Sequence, residues 1–134
     1  MKTIYLLLLT VMFAGAVQAQ TGRPTVFTRI PGGINTCTNR YYLTTADQRS
    51  GRLIWVDDFE KGAMTINGKT EKLKSLKFPD RLKYGFFNKN YTVSIRVTSQ
   101  HNTTGHSYTG KGTLVIYRGR QVILSHAVVI TGGC

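Results

Sequence analysis

A small all-β domain, an antiparallel barrel or sandwich closed by one disulfide, is predicted from three observations. Residues 91–98 (Y-T-V-S-I-R-V-T) alternate apolar and polar side chains, the period of a strand with one buried face. Residues 108–134 are the most apolar run after the N-terminus and fold back on themselves near Gly119, ending on one of only two cysteines. Seven or eight short strand-like runs are separated by turn signals, and none of the intervening segments shows a helical apolar stripe.

Residues 1–19 read as a signal peptide: Lys2 supplies the positive start, residues 4–16 the apolar core, and Val17-Gln18-Ala19 a small-residue cleavage site. A membrane anchor is the competing reading, but the apolar run is shorter than the ~20 residues that a span requires. The mature chain is expected to begin near Gln20, with no integral membrane segment after cleavage and a secreted or periplasmic destination. Residues 20–34, with Pro24, Pro31 and Gly32-Gly33, form an N-terminal arm holding at most one short strand at 25–30. Residues 35–134 form a single β domain.

Cys37 and Cys134 both lie in the mature part, and an exported chain meets an oxidising compartment, so a bond between them is expected. Closing so long a loop stabilises by roughly 4–5 kcal/mol in the chain-entropy model. Two free thiols are the alternative; two cysteines with no histidine near them in sequence argue against zinc.

Within the domain, residues 35–44 carry a strand through Tyr41-Tyr42-Leu43, and residues 46–51 are turn-like. Residues 52–56 (R-L-I-W-V) form a strand with the only tryptophan, which Asp57-Asp58 is expected to end, because adjacent carboxylates sit badly in a sheet. Asn67-Gly68 marks a hairpin in residues 63–74. A two-residue turn there sets Ile66 beside Lys69 and Met64 beside Glu71, so either the loop is longer or the hairpin lies at a rim. Residues 76–87 look irregular, broken by Pro79-Asp80 and Gly85. Tyr91, Val93, Ile95 and Val97 face inward, and residues 99–106 form a polar loop. In the last hairpin, a three-residue loop ending at Gly119 would set Leu114 opposite Val122 and Ile116 opposite Arg120. Leu114, Ile116, Val122, Leu124 and Val128 then share one face. Val115, Ile123 and Val129 occupy the other, so the last strand is central; Gly110 and Gly112 signal a bulge or bend.

Catalytic patterns are weak. His101, His106 and His126 form no H-x-H or H-x-x-x-H pair, and none is joined in sequence to an acid that would orient it. Asp57, Asp58 and Glu60 hold half of the six acids; a calcium loop or paired carboxylates compete with a polar turn, and the EF-hand spacing is absent. We therefore expect no enzyme, metal or cofactor. Charge is more informative. Eighteen Lys and Arg face six acids, a net charge of +12, which favours anionic partners. Lys69, Lys72, Lys74, Lys77, Arg81, Lys83 and Lys89 are interleaved with Phe78, Tyr84, Phe86, Phe87 and Tyr91. Cations beside rings are what a sugar-phosphate polymer or single-stranded nucleic acid requires, so these seven are the candidate anion-binding residues. A solvated rim over core aromatics is the alternative.

Taken together, Cys37, A-M-T-I-N-G-K (63–69), G-H-S-Y-T-G-K-G (105–112) and Cys134 resemble the bacterial c-type lysozyme inhibitors. That family consists of small exported β-barrels with an early and a late cysteine bonded. Its Ser- and Gly-bearing loop and a basic residue enter the target's active cleft. The resemblance implies a partner-binding loop at Ser107, Tyr108 and Lys111. The expectation is an exported, non-enzymatic binding module whose partner outside the cytoplasm is either an acidic protein or an anionic polymer. The first variant is a protein inhibitor of a cell-wall hydrolase; the alternative binds polymers or envelope components through the basic-aromatic surface.

Overall fold

Eight antiparallel strands close on themselves in the computed structural model, which describes residues 22–77 and 83–134. The signal peptide, the start at Gln20, the break at Pro79-Asp80, and Phe78 and Arg81 lie outside the described residues. In chain order the elements are β1 (Pro24–Thr25), β2 (Thr38–Tyr42), α1 (Thr45–Ser50), β3 (Trp55–Asp57), β4 (Lys61–Ile66), β5 (Lys69–Leu76), β6 (Lys83–Phe87), β7 (Tyr91–Asn102), β8 (Tyr108–Arg118) and β9 (Gln121–Gly133). The sheet runs β4-β3-β2-β9-β8-β7-β6-β5 and returns to β4, so no strand of this ring has to end as an open edge. β1 adds to β4 beyond the end of β3, with Pro24 opposite Ile66 and Thr25 opposite Thr65.

Alternation decides what goes inside. Tyr91, Val93, Ile95 and Val97 are all buried, as expected, and meet Leu114, Ile116 and Ile130 in one core. Trp55 is fully buried and packs on Phe86 with ring centroids 5.0 Å apart. A Cβ on Gly62 would stand 2.0 Å from the Trp55 ring, so the indole fits only because β4 carries no side chain there. Each such large side chain contributes about 1.5–3 kcal/mol by leaving water.

The Cys37–Cys134 bond is present and joins the start of β2 to the end of β9. Those strands also pair, from Thr38 opposite Gly133 to Tyr42 opposite Val129, so the disulfide extends an existing ladder. At Asn67-Gly68 the turn has two residues, both at positive φ (50° and 76°), which matches the twist of the flanking strands. Ile66 does face Lys69 and Met64 does face Glu71, so the loop is not longer; Met64 and Ile66 are nevertheless buried in the core.

Several local expectations need correction. Residues 45–50 form a helical turn instead of a simple turn: Thr44 caps it by accepting from the Asp47 N–H at 3.0 Å, and Gly51 ends it in the left-handed conformation. It buries no residue, so it has no apolar stripe to read. Asp57 does not end β3 but belongs to it, 1% exposed. Gly85 does not break the chain; it sits inside β6, opposite Leu76 and Ser94. β7 continues to Asn102 past a bulge between Val97 and Ser99, so only the end of the expected 99–106 loop is loop. A Cβ on Gly110 or Gly112 would meet the carbonyl oxygens of Ser99 or Arg96 at 2.7 and 2.4 Å, the close approach this bulged segment requires.

The last hairpin is also in a different register. Its loop has two residues, Gly119 and Arg120, and an irregularity after Tyr117–Val122 sets Ile116 opposite Leu124 and Leu114 opposite His126. The extra residue on β9 flips the parity, so Val122 points outward at 50% exposure while Val128 stays in the core. β9 is central only along residues 129–133, where β2 pairs with it.

A barrel mouth and a basic outer face

The polar chemistry of the interior gathers at the barrel end that carries the disulfide. Cross-strand register brings Asn39, Asp57, Gly62 and Leu73 side by side along β2, β3, β4 and β5, and puts Gly132 and Tyr108 beside Asn39 on the other flank. The Asp57 carboxylate accepts from Asn39 Nδ2 (2.8 Å), Trp55 Nε1 (2.9 Å), the Phe59 N–H (3.2 Å) and the Tyr41 hydroxyl. Burial pushes the Asp57 carboxyl up, and these donors oppose that shift without cancelling it. The Tyr108 hydroxyl donates to Asn39 Oδ1, which fixes the amide so that its nitrogen faces Asp57. Burial, and then the nearby Asp57 and Tyr84, raise the Tyr108 hydroxyl. Its ring lies over Gly132, where a Cβ would stand 2.2 Å from it.

The next residue behaves oppositely. Burial pushes the Asp58 carboxyl up too, but backbone N–H groups of Asn35 (3.0 Å), Lys61 (2.8 Å) and Glu60 (3.0 Å) outweigh it and hold it below the usual carboxylate range. Asp58 thus ties the N-terminal arm, through Asn35, to the corner between β3 and β4. Phe59 sits at that corner with φ 70°, 50% exposed, its ring edge-on to Tyr84 with centroids 5.5 Å apart. Beside it a cleft of about 400 Å³ opens, walled by residues 35–39, Asp58, Phe59, His106, Tyr108 and the end of β9. Asp57 and Asp58 are therefore occupied by protein donors, and among the described residues no group of three His, Cys, Asp or Glu is placed to hold a metal.

The expected basic residues do not form one patch. Lys72 and Lys74 are exposed on β5, on the face opposite to buried Leu73, and Lys77 follows just beyond the strand. Lys69 lies beside the Asn67-Gly68 turn, Lys89 in the turn after β6, and Lys83 on β6 opposite Arg96. The residue missing from the expectation is Lys61. It stands directly opposite Lys74, and its Nζ donates to Gly33 O at 3.3 Å. The signal was available in the Asn67-Gly68 turn, whose two-residue register, carried back along the hairpin, pairs position 61 with position 74. Residues 32–34 of the arm, Lys61, and residues 72–74 enclose a hollow of about 290 Å³.

The aromatic residues divide in the same way. Among the described rings of that set, Phe86 and Tyr91 are core, Tyr84 belongs to the mouth, and Phe87 is exposed, directly opposite Lys74. Of the expected partner-binding loop, Tyr108 and Lys111 lie in β8, with Tyr108 hydrogen-bonded into the mouth, and Ser107 is half-buried in the preceding turn, its N–H on Thr104 O at 3.2 Å. His101 and His126 lie in β7 and β9, apart from the His106 wall of the cleft. Among the described residues no helix is long and apolar enough to cross a membrane. No protein-family model matches the chain, and no curated protein or solved structure matches it significantly.

Proposed function

We propose that this chain is an extracytoplasmic, non-enzymatic binding module that takes an anionic polymer or envelope component on the outer face of β4 and β5. The observation that carries this reading is the pairing of Lys61 with Lys74 on neighbouring strands, with Lys72 beside them. Like charges directly opposite each other cost stability in a sheet. Four of the five described carboxylates have partners of their own: Asp47 holds Arg52 at 2.9 Å, Asp57 and Asp58 accept from donors at the mouth, and Glu71 accepts from Asn88 at 3.2 Å; Asp58 is also near enough to Lys61 for the two charges to attract. An anion bridging the three ammonium groups would remove the repulsion, and Phe87 offers a ring at the edge of the same surface. The signal-like N-terminus and the disulfide support a secreted or periplasmic setting.

Heparin binding as a function of salt tests this. Each displaced counterion adds to the slope of log affinity against log salt, so binding should fall as a power of salt concentration. Reversing Lys72, Lys74 and Lys77 to Glu should weaken binding and flatten that slope while the fold persists. A triple variant that binds as tightly as the parent, or a parent that binds no heparin at low salt, overturns the reading. A closed barrel whose early and late cysteines are bonded supports a second reading, the inhibitor of a cell-wall hydrolase, which would then lead. It requires a stoichiometric complex with a protein target, detectable by pull-down from envelope or extracellular fluid.

A further inference from the structure

We infer that the cleft at the barrel mouth is a second site, distinct from the basic face, and that it takes a neutral pyranose ring of a glycan. Its wall, Phe59, is in the left-handed backbone region that a bulky side chain normally avoids, and half its surface is left in water. The strained corner is held by the Phe59 N–H on Asp57 and by the three backbone donors on Asp58, so the neighbouring hydrogen bonds over-determine it. The same cleft is lined by Thr36, His106 and the half-buried Tyr108, whose hydroxyl oxygen can still accept while it donates to the buried Asn39. The Asp58 side chain in the lining stays ionised, with its oxygens already taken by three backbone N–H groups, so the wall repels an anionic ligand.

A sugar ring has the complementary surface. Its C–H face packs on an aromatic ring, and its equatorial hydroxyls exchange hydrogen bonds with amides and hydroxyls. The cleft's volume of about 400 Å³ falls at the lower end of small-ligand sites, enough for one ring with the rest of a chain outside. The arm separates the two surfaces, since residues 32–34 wall the basic hollow and residues 35–39 wall the cleft.

The test is a titration of the isotope-labelled, disulfide-bonded protein with neutral tetrasaccharides of glucose, mannose, galactose and N-acetylglucosamine, followed by amide chemical shifts. At least one should shift the amides of Thr36, Thr38, Phe59 and Tyr108 saturably. Phe59→Ala should weaken that Kd about tenfold or more, with Phe59→Tyr binding like the parent. Lys72→Glu with Lys74→Glu should leave it unchanged, which separates this site from the basic face. No saturable shift by any of the four at about 10 mM, or equal binding by Phe59→Ala, overturns the proposal.

Discussion

At the mouth of the barrel, Asp57 and Asp58 are buried side by side and held by side-chain and backbone donors, whereas on the outer face of β4 and β5 Lys61 and Lys74 confront each other in the open. The first region satisfies its charges internally, and its residues come from β2, β3, β8 and the arm. The second consists of neighbours on one hairpin, where Lys61 has a single backbone acceptor, Gly33 O, and Lys72 and Lys74 stand exposed to solvent. A charge with internal partners specifies structure, because removing one partner orphans the others. A charge without them is cheap to change and is available for recognition.

Breaking the mouth should therefore cost far more than altering the face. Replacing Cys37 and Cys134 together by Ser should destabilise by about 4–5 kcal/mol, read from denaturant midpoints, because the closed loop spans 97 positions. Asp57→Ala should cost about 3 kcal/mol or more at neutral pH, since Asn39, Trp55, Tyr41 and the Phe59 N–H all lose their acceptor.

Asp58→Ala should cost about 1–3 kcal/mol at pH 7 through its three backbone donors. The two carboxylates should differ in the sign of their pH dependence. Asp58, held low, contributes stability above its unfolded pKa of about 3.9, and that contribution is lost as pH falls through the folded value. Asp57, pushed up, works the other way: the folded state holds its proton more tightly, so stability drains as pH rises from about 3.9 through the raised value. Unfolding free energies of the parent and Asp58→Ala from pH 2 to 7 would show the acid-side loss flattened in the variant.

Phe59→Gly should stabilise the fold by about 0.5–1 kcal/mol, because relief of the left-handed strain exceeds the lost ring contact with Tyr84. A thermal melt would read it, and a gain in stability accompanied by lost glycan binding would mark Phe59 as kept for recognition. The smallest effect belongs to the face. Lys74→Ala should move stability by less than about 0.5 kcal/mol and, if anything, upward, because it ends the opposition to Lys61. A large loss there would show that the lysines are structural and erase the contrast between the two regions.

Much of the architecture was legible because its causes are local. Apolar alternation in residues 91–97 places a strand and its inner face without knowledge of any neighbour. Asn67-Gly68 sets a two-residue turn, and through it the opposition of Lys61 and Lys74. Two cysteines in a chain with an export-like start left one intramolecular pairing to consider. Helix α1 and the bulge in β9 escaped notice for local reasons too. One is capped but has no buried face, and the other hides a parity change inside a run that is apolar on both sides.

The mouth was beyond reach of the sequence. Asp57-Asp58 reads as a strand-ending turn because a carboxylate in a strand is normally costly, and nothing along the chain tells that Asn39, Tyr41 and Trp55 will converge on it. Closing the barrel aligns β2, β3, β8 and β9 in register, and that alignment turns isolated polar residues into a satisfied network with Phe59 at its rim. Local periodicity determined which residues face inward; only ring closure decided which of them meet, because side chains far apart in sequence become neighbours through strand register alone.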